Sequence, residues 1–190
     1  MLKVAIVGNI ASGKSTVEEI LIQKNFPVLD TDKVCHYWLD KTDEIRETFS
    51  HYDIFDGDKI SREKLGKIVF DNSDLKKRLE NILYPYVRVE IARFFAKNIN
   101  SCAAFVSIPL LFEAGMEDLF DKILFVYCDD ETRLNRLITR NGYSKDYAQK
   151  RIDSQLSQDV KINRSDWVIY NNSTKEDLKI SVINLIEQIR

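Results

Sequence analysis

The sequence predicts an α/β fold, a parallel five-stranded sheet flanked by helices, on three observations. Short apolar runs rich in Val, Ile and Phe recur along the chain, which is the composition of strands buried on both faces. Stretches with helical spacing separate them, and that alternation is the mark of βαβ units. The first run also leads straight into a loop carrying two glycines and then into a helical pattern.

The expected strands are Leu2–Val7 (LKVAIV), residues 27–30 (PVLD), residues 103–108 (AAFVSI), Lys122–Tyr127 (KILFVY) and Trp167–Tyr170 (WVIY). A long periodic, polar region, residues 31–100, separates the second strand from the third and holds too much chain for one crossover helix. Within it DGDKIS reads as a turn, with Ser61 and Ser73 placed to cap the two helices that follow. A second helical excursion, residues 141–166, is dense in Lys, Arg, Asp and Gln, so it is expected to face solvent, with Ser144 as its cap. The closing helix runs from Thr174 to about Arg190, with Leu178, Val182, Leu185 and Ile189 at core spacing.

At 190 residues, 44% hydrophobic and 31% charged, the chain suits one ordered domain rather than a disordered or fibrous polymer. A net charge of −2 supplies no global positive field, so nucleic acid is not an expected partner. No apolar run approaches the roughly 20 residues of a membrane helix, and no leader pattern is visible, so a soluble, cytoplasmic protein is expected. Cys35, Cys102 and Cys128 are odd in number and widely spaced, and neither they nor His36 and His51 show metal-ligand spacing.

The loop GNIASGKST, residues 8–16, matches G-x-x-x-x-G-K-[ST] through Gly8, Gly13, Lys14 and Ser15. Successive backbone N–H groups of Asn9, Ile10, Ala11 and Ser12 and of the following helix start, Thr16 included, would cradle a polyphosphate. Lys14 would reach its β and γ phosphates and the Ser15 hydroxyl would ligate Mg²⁺, making ATP the expected ligand. A guanine-reading N-K-x-D motif and a D-x-x-G switch are absent, which disfavours a signalling GTPase. The second strand closes in DTD, residues 30–32, where a carboxylate can serve as general base, while Asp30 alone reads equally as a helix cap.

Taken in order, GNIASGKST, PVLDTD, SREKLGKIVF, IPLLFEAG, ETRLNRLITRNG and RIDSQ resemble the dephospho-coenzyme A kinase family over nearly the whole chain. The resemblance implies a P-loop kinase domain spanning residues 1–190, with residues 31–100 as a helical acceptor-binding region and about 141–166 as a lid. It implies transfer of the γ phosphate of ATP to the ribose 3′-hydroxyl of dephospho-coenzyme A. By the family's pattern Asp32 is the base and Asp30 its acidic neighbour, Arg140 neutralises the transferring phosphoryl group, and Arg136 and Asn171 lie on the nucleotide side. Arg62, Lys64 and Glu113 fall on the acceptor side.

Arg133 stands on the same helical face as Arg136 and Arg140 and reads as a solvated charge. Arg151 and Gln155 match the family's R-I-x-x-Q, with packing and ligand contact equally open. Two departures stand out: Asn9 and Ala11 replace glycines of the family loop, so Ala11 either adopts ordinary dihedrals or is strained, and Tyr84 replaces a histidine before Pro85. The competing readings are a related kinase for a nucleotide or other small metabolite and a regulatory P-loop ATPase.

Overall fold

A computed structural model of the protein describes residues 1–70 and 72–189 in full and Asp71 by its backbone. The chain forms two compact units, one of Met1–Leu29 with the chain from Phe95 onward, the other of Asp30–Phe94.

The first unit carries the sheet. Its elements begin with β1 (Leu2–Val7) and α1 (Lys14–Gln23), followed by β2 (Val28–Asp30). In the second unit follow α2 (Thr31–Lys41), α3 (Asp43–Thr48), β3 (Phe55–Asp56), β4 (Lys59–Ile60) and α4 (Arg62–Asp71), and then α5 (Ser73–Lys97). The remaining elements are β5 (Ala103–Ser107), β6 (Lys122–Tyr127), α6 (Asp130–Asn141), α7 (Lys145–Asp153), α8 (Gln158–Asn163), β7 (Trp167–Tyr170) and α9 (Lys175–Ile189). The expected closing residue Arg190 lies outside the described residues.

The five strands are parallel in the order β2-β5-β1-β6-β7, with Val4 opposite both Phe105 and Lys122. Because β1 is central, Val4, Ala5, Ile6 and Val7 are all fully buried, which explains an apolar run without alternation. One core gathers Val4, Ile6, Phe105, Leu124 and Val126 of the sheet with Val17, Ile20 and Leu21 of α1 and Leu178, Val182, Leu185 and Ile186 of α9. Each such side chain contributes about 1.5–3 kcal/mol by leaving water. Ile189 packs at the margin of this core, and Ile186 takes the inner place expected of it.

The Asp30–Phe94 unit has its own core of Leu39, Ile45, Phe49, Ile54, Ile60, Leu65, Leu75, Ile82 and Leu83, with Trp38 stacked on Tyr86 at 4.3 Å. DGDKIS forms the β3–β4 hairpin, turning at Gly57 with φ 62°. Two expected caps differ. Ser61 holds the cap position of α4 without a side-chain cap bond, and α5 is capped by Asn72, whose Oδ1 accepts from Asp74 N and Leu75 N at 3.0 and 3.1 Å. Ser144 does cap α7, accepting from Tyr147 N.

Candidate active site

The loop after β1 is built by its own backbone. Ser12 N donates to Asn9 O at 3.0 Å, closing a four-residue turn with Ala11 at φ 62°. That is the pattern of a type II turn, in which the third residue is normally glycine. Ala11 is therefore held in the left-handed region, the strained of its two expected states. Gly8 and Gly13 are required for space. A Cβ on Gly8 would lie 2.8 Å from Val126 O, and one on Gly13, itself at φ 98°, would lie 2.1 Å from Asn171 Nδ2.

Side chains from distant elements fix the loop's carbonyls. Asn171, buried just after β7, donates through Nδ2 to Ser12 O at 2.7 Å. Arg136 of α6 donates through Nη1 to Ala11 O at 3.2 Å and through Nη2 to Asn171 O at 3.1 Å. In a trans peptide the C=O and N–H point in opposite directions, so holding Ser12 O on one side aims Gly13 N–H away from Asn171. Both residues thus meet the loop's backbone, the turn-shaping reading open to Asn171 included. Gln155 Oε1 accepts from Ile10 N at 2.7 Å.

The helix that follows is electrostatically bare at its start. Gly13 is its N-cap and supplies no side-chain cap, and its first turn holds no acid. Among the described residues, α1 is the one α-helix without Asp or Glu in its first turn; α2 to α9 all have one. The positive end of the dipole is therefore left for an external anion. Lys14 and Ser15 are the first two residues of that helix, and Ser15 is exposed.

In the second unit, Asp30 caps α2 by accepting from Asp32 N at 3.0 Å, with Lys33 Nζ at 3.6 Å from its other oxygen. Asp32 is exposed in the first turn. One turn on, burial and then the charges of Asp32 and Asp30 push the Cys35 thiol up to about 11. His36 is pushed below its ordinary value by burial and by Arg62, with Asp32 and Asp30 acting the other way. The structure thus gathers Asp30, Asp32 and Arg62 around His36, a residue that its sequence spacing had not marked. Lys64 is engaged by Asp53 at 3.0 Å, Asp56 at 3.1 Å and the Phe55 carbonyl at 2.7 Å.

On α6, Arg140 is exposed and donates through Nε to Asn141 Oδ1 at 3.1 Å. Arg133 corrects an expectation: it is 2% exposed, donates to Asp130 Oδ1 at 2.6 Å, and lines a cavity of about 470 Å³ with Asn9, Gln155 and Gln158. The polar segment 141–166 is likewise not wholly solvent-facing. Gln158 is buried, bonding Cys128 O at 2.9 Å and Asp130 Oδ1 at 3.0 Å, and Lys161 is fully buried against Glu113 at 2.8 Å. These contacts span 28 to 48 residues of sequence, so helical periodicity carries no trace of them.

Comparison with known proteins agrees with this geometry. The sequence model of the dephospho-CoA kinase family matches residues 2–177. The chain is 39% identical to a dephospho-CoA kinase of Oceanobacillus iheyensis over 98% of this chain and 97% of that protein. Among solved structures, a Thermus thermophilus protein superposes with TM-score 0.85 at 30% identity, covering 100% of this chain and 98% of the other. A dephospho-CoA kinase from Campylobacter jejuni does so with TM-score 0.74 at 32% identity, covering 98% and 96%. With its five-stranded parallel sheet, its P-loop and a family match along nearly its whole length, the chain belongs to the dephospho-CoA kinase family.

Proposed function

We propose that the protein transfers the γ phosphate of ATP to the ribose 3′-hydroxyl of dephospho-coenzyme A, giving coenzyme A and ADP. The observation that carries this reading is the bare N-terminus of α1 behind a loop whose carbonyls are tied outward. Such a cradle suits a polyphosphate, and family membership supplies the acceptor.

In the proposed mechanism the loop of residues 8–16 holds the ATP phosphates through the amides it does not spend on itself, those of Ile10, Ser12 and Thr16 being bonded to Gln155 Oε1, Asn9 O and Gly13 O, and Lys14 bridges the β and γ groups. Asp32, placed just past the end of β2, takes the proton of the acceptor hydroxyl. The freed oxygen forms a bond to the γ phosphorus as the bond to the bridging oxygen breaks and ADP departs. Asp30 keeps Asp32 in place through the cap it forms. Arg140 would neutralise charge on the moving phosphoryl group. Arg136 and Asn171 serve the nucleotide through the loop they hold. The family's pattern assigns Arg62, Lys64 and Glu113 to the acceptor, and Lys64 and Glu113 are engaged by partners within their own units.

Mg²⁺ fits the residues present, because the Ser15 hydroxyl is an exposed hard-oxygen donor at the phosphate end of α1. Among the described residues no cluster of three His, Cys, Asp or Glu side chains could hold a metal. The ion would accordingly rest on Ser15, phosphate oxygens and water, and it would supply charge neutralisation to the departing phosphate. A lid role for residues 141–166 belongs to the same proposal, with the buried Ala148, Ile152, Gln158 and Lys161 as its anchored side. No helix among the described residues is long and apolar enough to cross a membrane. A cytoplasmic location belongs to the same proposal, supported by three free thiols.

The test is ADP release from MgATP with and without dephospho-coenzyme A, the product confirmed by a one-phosphate mass gain. Asp32→Asn should lower turnover by about 10²–10⁴ while leaving ATP affinity close to wild type. Acceptor-independent ADP release, or turnover preferring nucleoside monophosphates, would move the assignment to another member of the fold. Near-normal turnover in Asp32→Asn would shift the base to Asp30.

A further inference from the structure

We propose that Gln155 and Asn9 form a reciprocal clasp that positions the phosphate loop, making Gln155 a positioning residue for nucleotide binding; this rests on reading residues 8–16 as the ATP phosphate site. The Gln155 side chain accepts from the backbone N–H of Ile10 at 2.7 Å. The Asn9 side chain donates through Nδ2 to the backbone carbonyl of Leu156 at 3.0 Å. Each segment therefore contributes one side chain and one backbone group to the other, across some 145 residues of sequence.

The effect on the loop follows from peptide geometry. The Asn9–Ile10 peptide is gripped at both ends: its N–H by Gln155 and its C=O by Ser12 N at 3.0 Å, the bond that closes the turn. Rotating that peptide would break the turn and release Ala11 from its left-handed conformation at φ 62°. The opposite side of the loop is held by Arg136 on Ala11 O and by Asn171 on Ser12 O. Ile10 and Ala11 also pack on the small core formed by Leu137, Ala148 and Ile152 of α6 and α7. A turn with alanine where glycine is preferred needs such external support to stay formed before ligand arrives.

Asn9 is 2% exposed, and of its buried amide the Nδ2 end is satisfied by Leu156 O while Oδ1 meets no partner among the described residues. A glycine at the same position would leave Leu156 O without that donor. The clasp also supplies a reason for the segment after α7 to be fixed: Gln158 and Lys161 anchor it farther along, on Cys128 and on Glu113. The loop and the segment that follows the lid helix are thus one hydrogen-bonded unit.

The experiment measures MgATP affinity by calorimetry in wild type, Gln155→Leu, Gln155→Glu and Lys14→Ala, with circular dichroism to show that each is folded. Gln155→Leu removes the acceptor and should raise the Kd for MgATP about tenfold, whereas Gln155→Glu retains an acceptor oxygen and should stay within about threefold of wild type. Unchanged affinity in Gln155→Leu, with loss in Lys14→Ala, would overturn the clasp and leave the phosphate site standing. Equal weakening in Gln155→Leu and Gln155→Glu, measured at a salt concentration that screens the added carboxylate charge, would also overturn it, because the acceptor oxygen would then be irrelevant. Wild-type affinity in Lys14→Ala would overturn the phosphate-site reading and this role with it.

Discussion

The Lys161–Glu113 pair makes an asymmetric prediction. Lys161 is fully buried, and its ammonium meets Glu113 Oε1 at 2.8 Å and the Pro109 carbonyl at 3.5 Å. The Glu113 side chain keeps one-fifth of its surface in water, 20% against 0% for Lys161. Glu113→Ala strands a buried positive charge beside one long carbonyl contact, and breaking a buried pair this way costs about 3–5 kcal/mol. Lys161→Met removes the charge but keeps the stem's volume, and the surviving carboxylate can hydrate, so the cost should fall to about 1–2 kcal/mol. The double variant should then be more stable than Glu113→Ala alone, since nothing charged remains buried, with a coupling of about 2 kcal/mol. Urea unfolding of the four proteins reads this directly, in the transition of the unit that carries the sheet. Heating should show Glu113→Ala lowered by about 10 °C. If Lys161→Met proved as damaging as Glu113→Ala, or the two effects simply added, the argument from unequal burial would be wrong.

Other outcomes follow from single positions. Ala11→Gly should stabilise by up to about 1 kcal/mol, the left-handed strain relieved less the added chain entropy, whereas Gly13→Ala, with φ 98° and a Cβ 2.1 Å from Asn171 Nδ2, should be strongly destabilising in the same melting assay. His36 has a folded pKa below its ordinary 6.5, so the unfolded chain binds the extra proton first and stability is lost as pH falls below that value. The stability difference between pH 7.5 and 5.5 should accordingly shrink in His36→Asn, and an unchanged difference would exclude His36 as its source. Toward a thiol reagent in the native protein, exposed Cys102 should react fast, part-exposed Cys35, pushed to about 11, slowly, and buried Cys128 only on unfolding.

What was legible in the sequence was what short range dictates. Gly8, Gly13, Lys14 and Ser15 lie within one turn and one helix start, so their spacing is also their geometry. The central strands announced themselves because both faces of β1 are buried and nothing interrupts the apolar run. Caps were legible only to within a residue: Ser73 and Asn72 are both competent, and the choice fell to Asn72 because its Oδ1 reaches two amides.

The misreadings come from hydropathy, which treats a polar side chain as a surface residue when nothing in the local pattern shows what buries it. Gln158 and Lys161 sit on a helix of polar composition and their partners lie on other elements, whereas Arg133 has its partner Asp130 three residues back on α6 and is buried by the packing around the cavity it lines. A buried charge is tolerable only when paired, so these residues are informative about tertiary structure in the way that a surface lysine is not. The opposite signal was present in the sequence all along. KST opens α1 without an acid while every later α-helix among the described residues begins with one. An isolated helix lacking an acidic first turn means little; set against the other helices of its own chain, it marks the terminus where a ligand, rather than the protein, provides the negative charge.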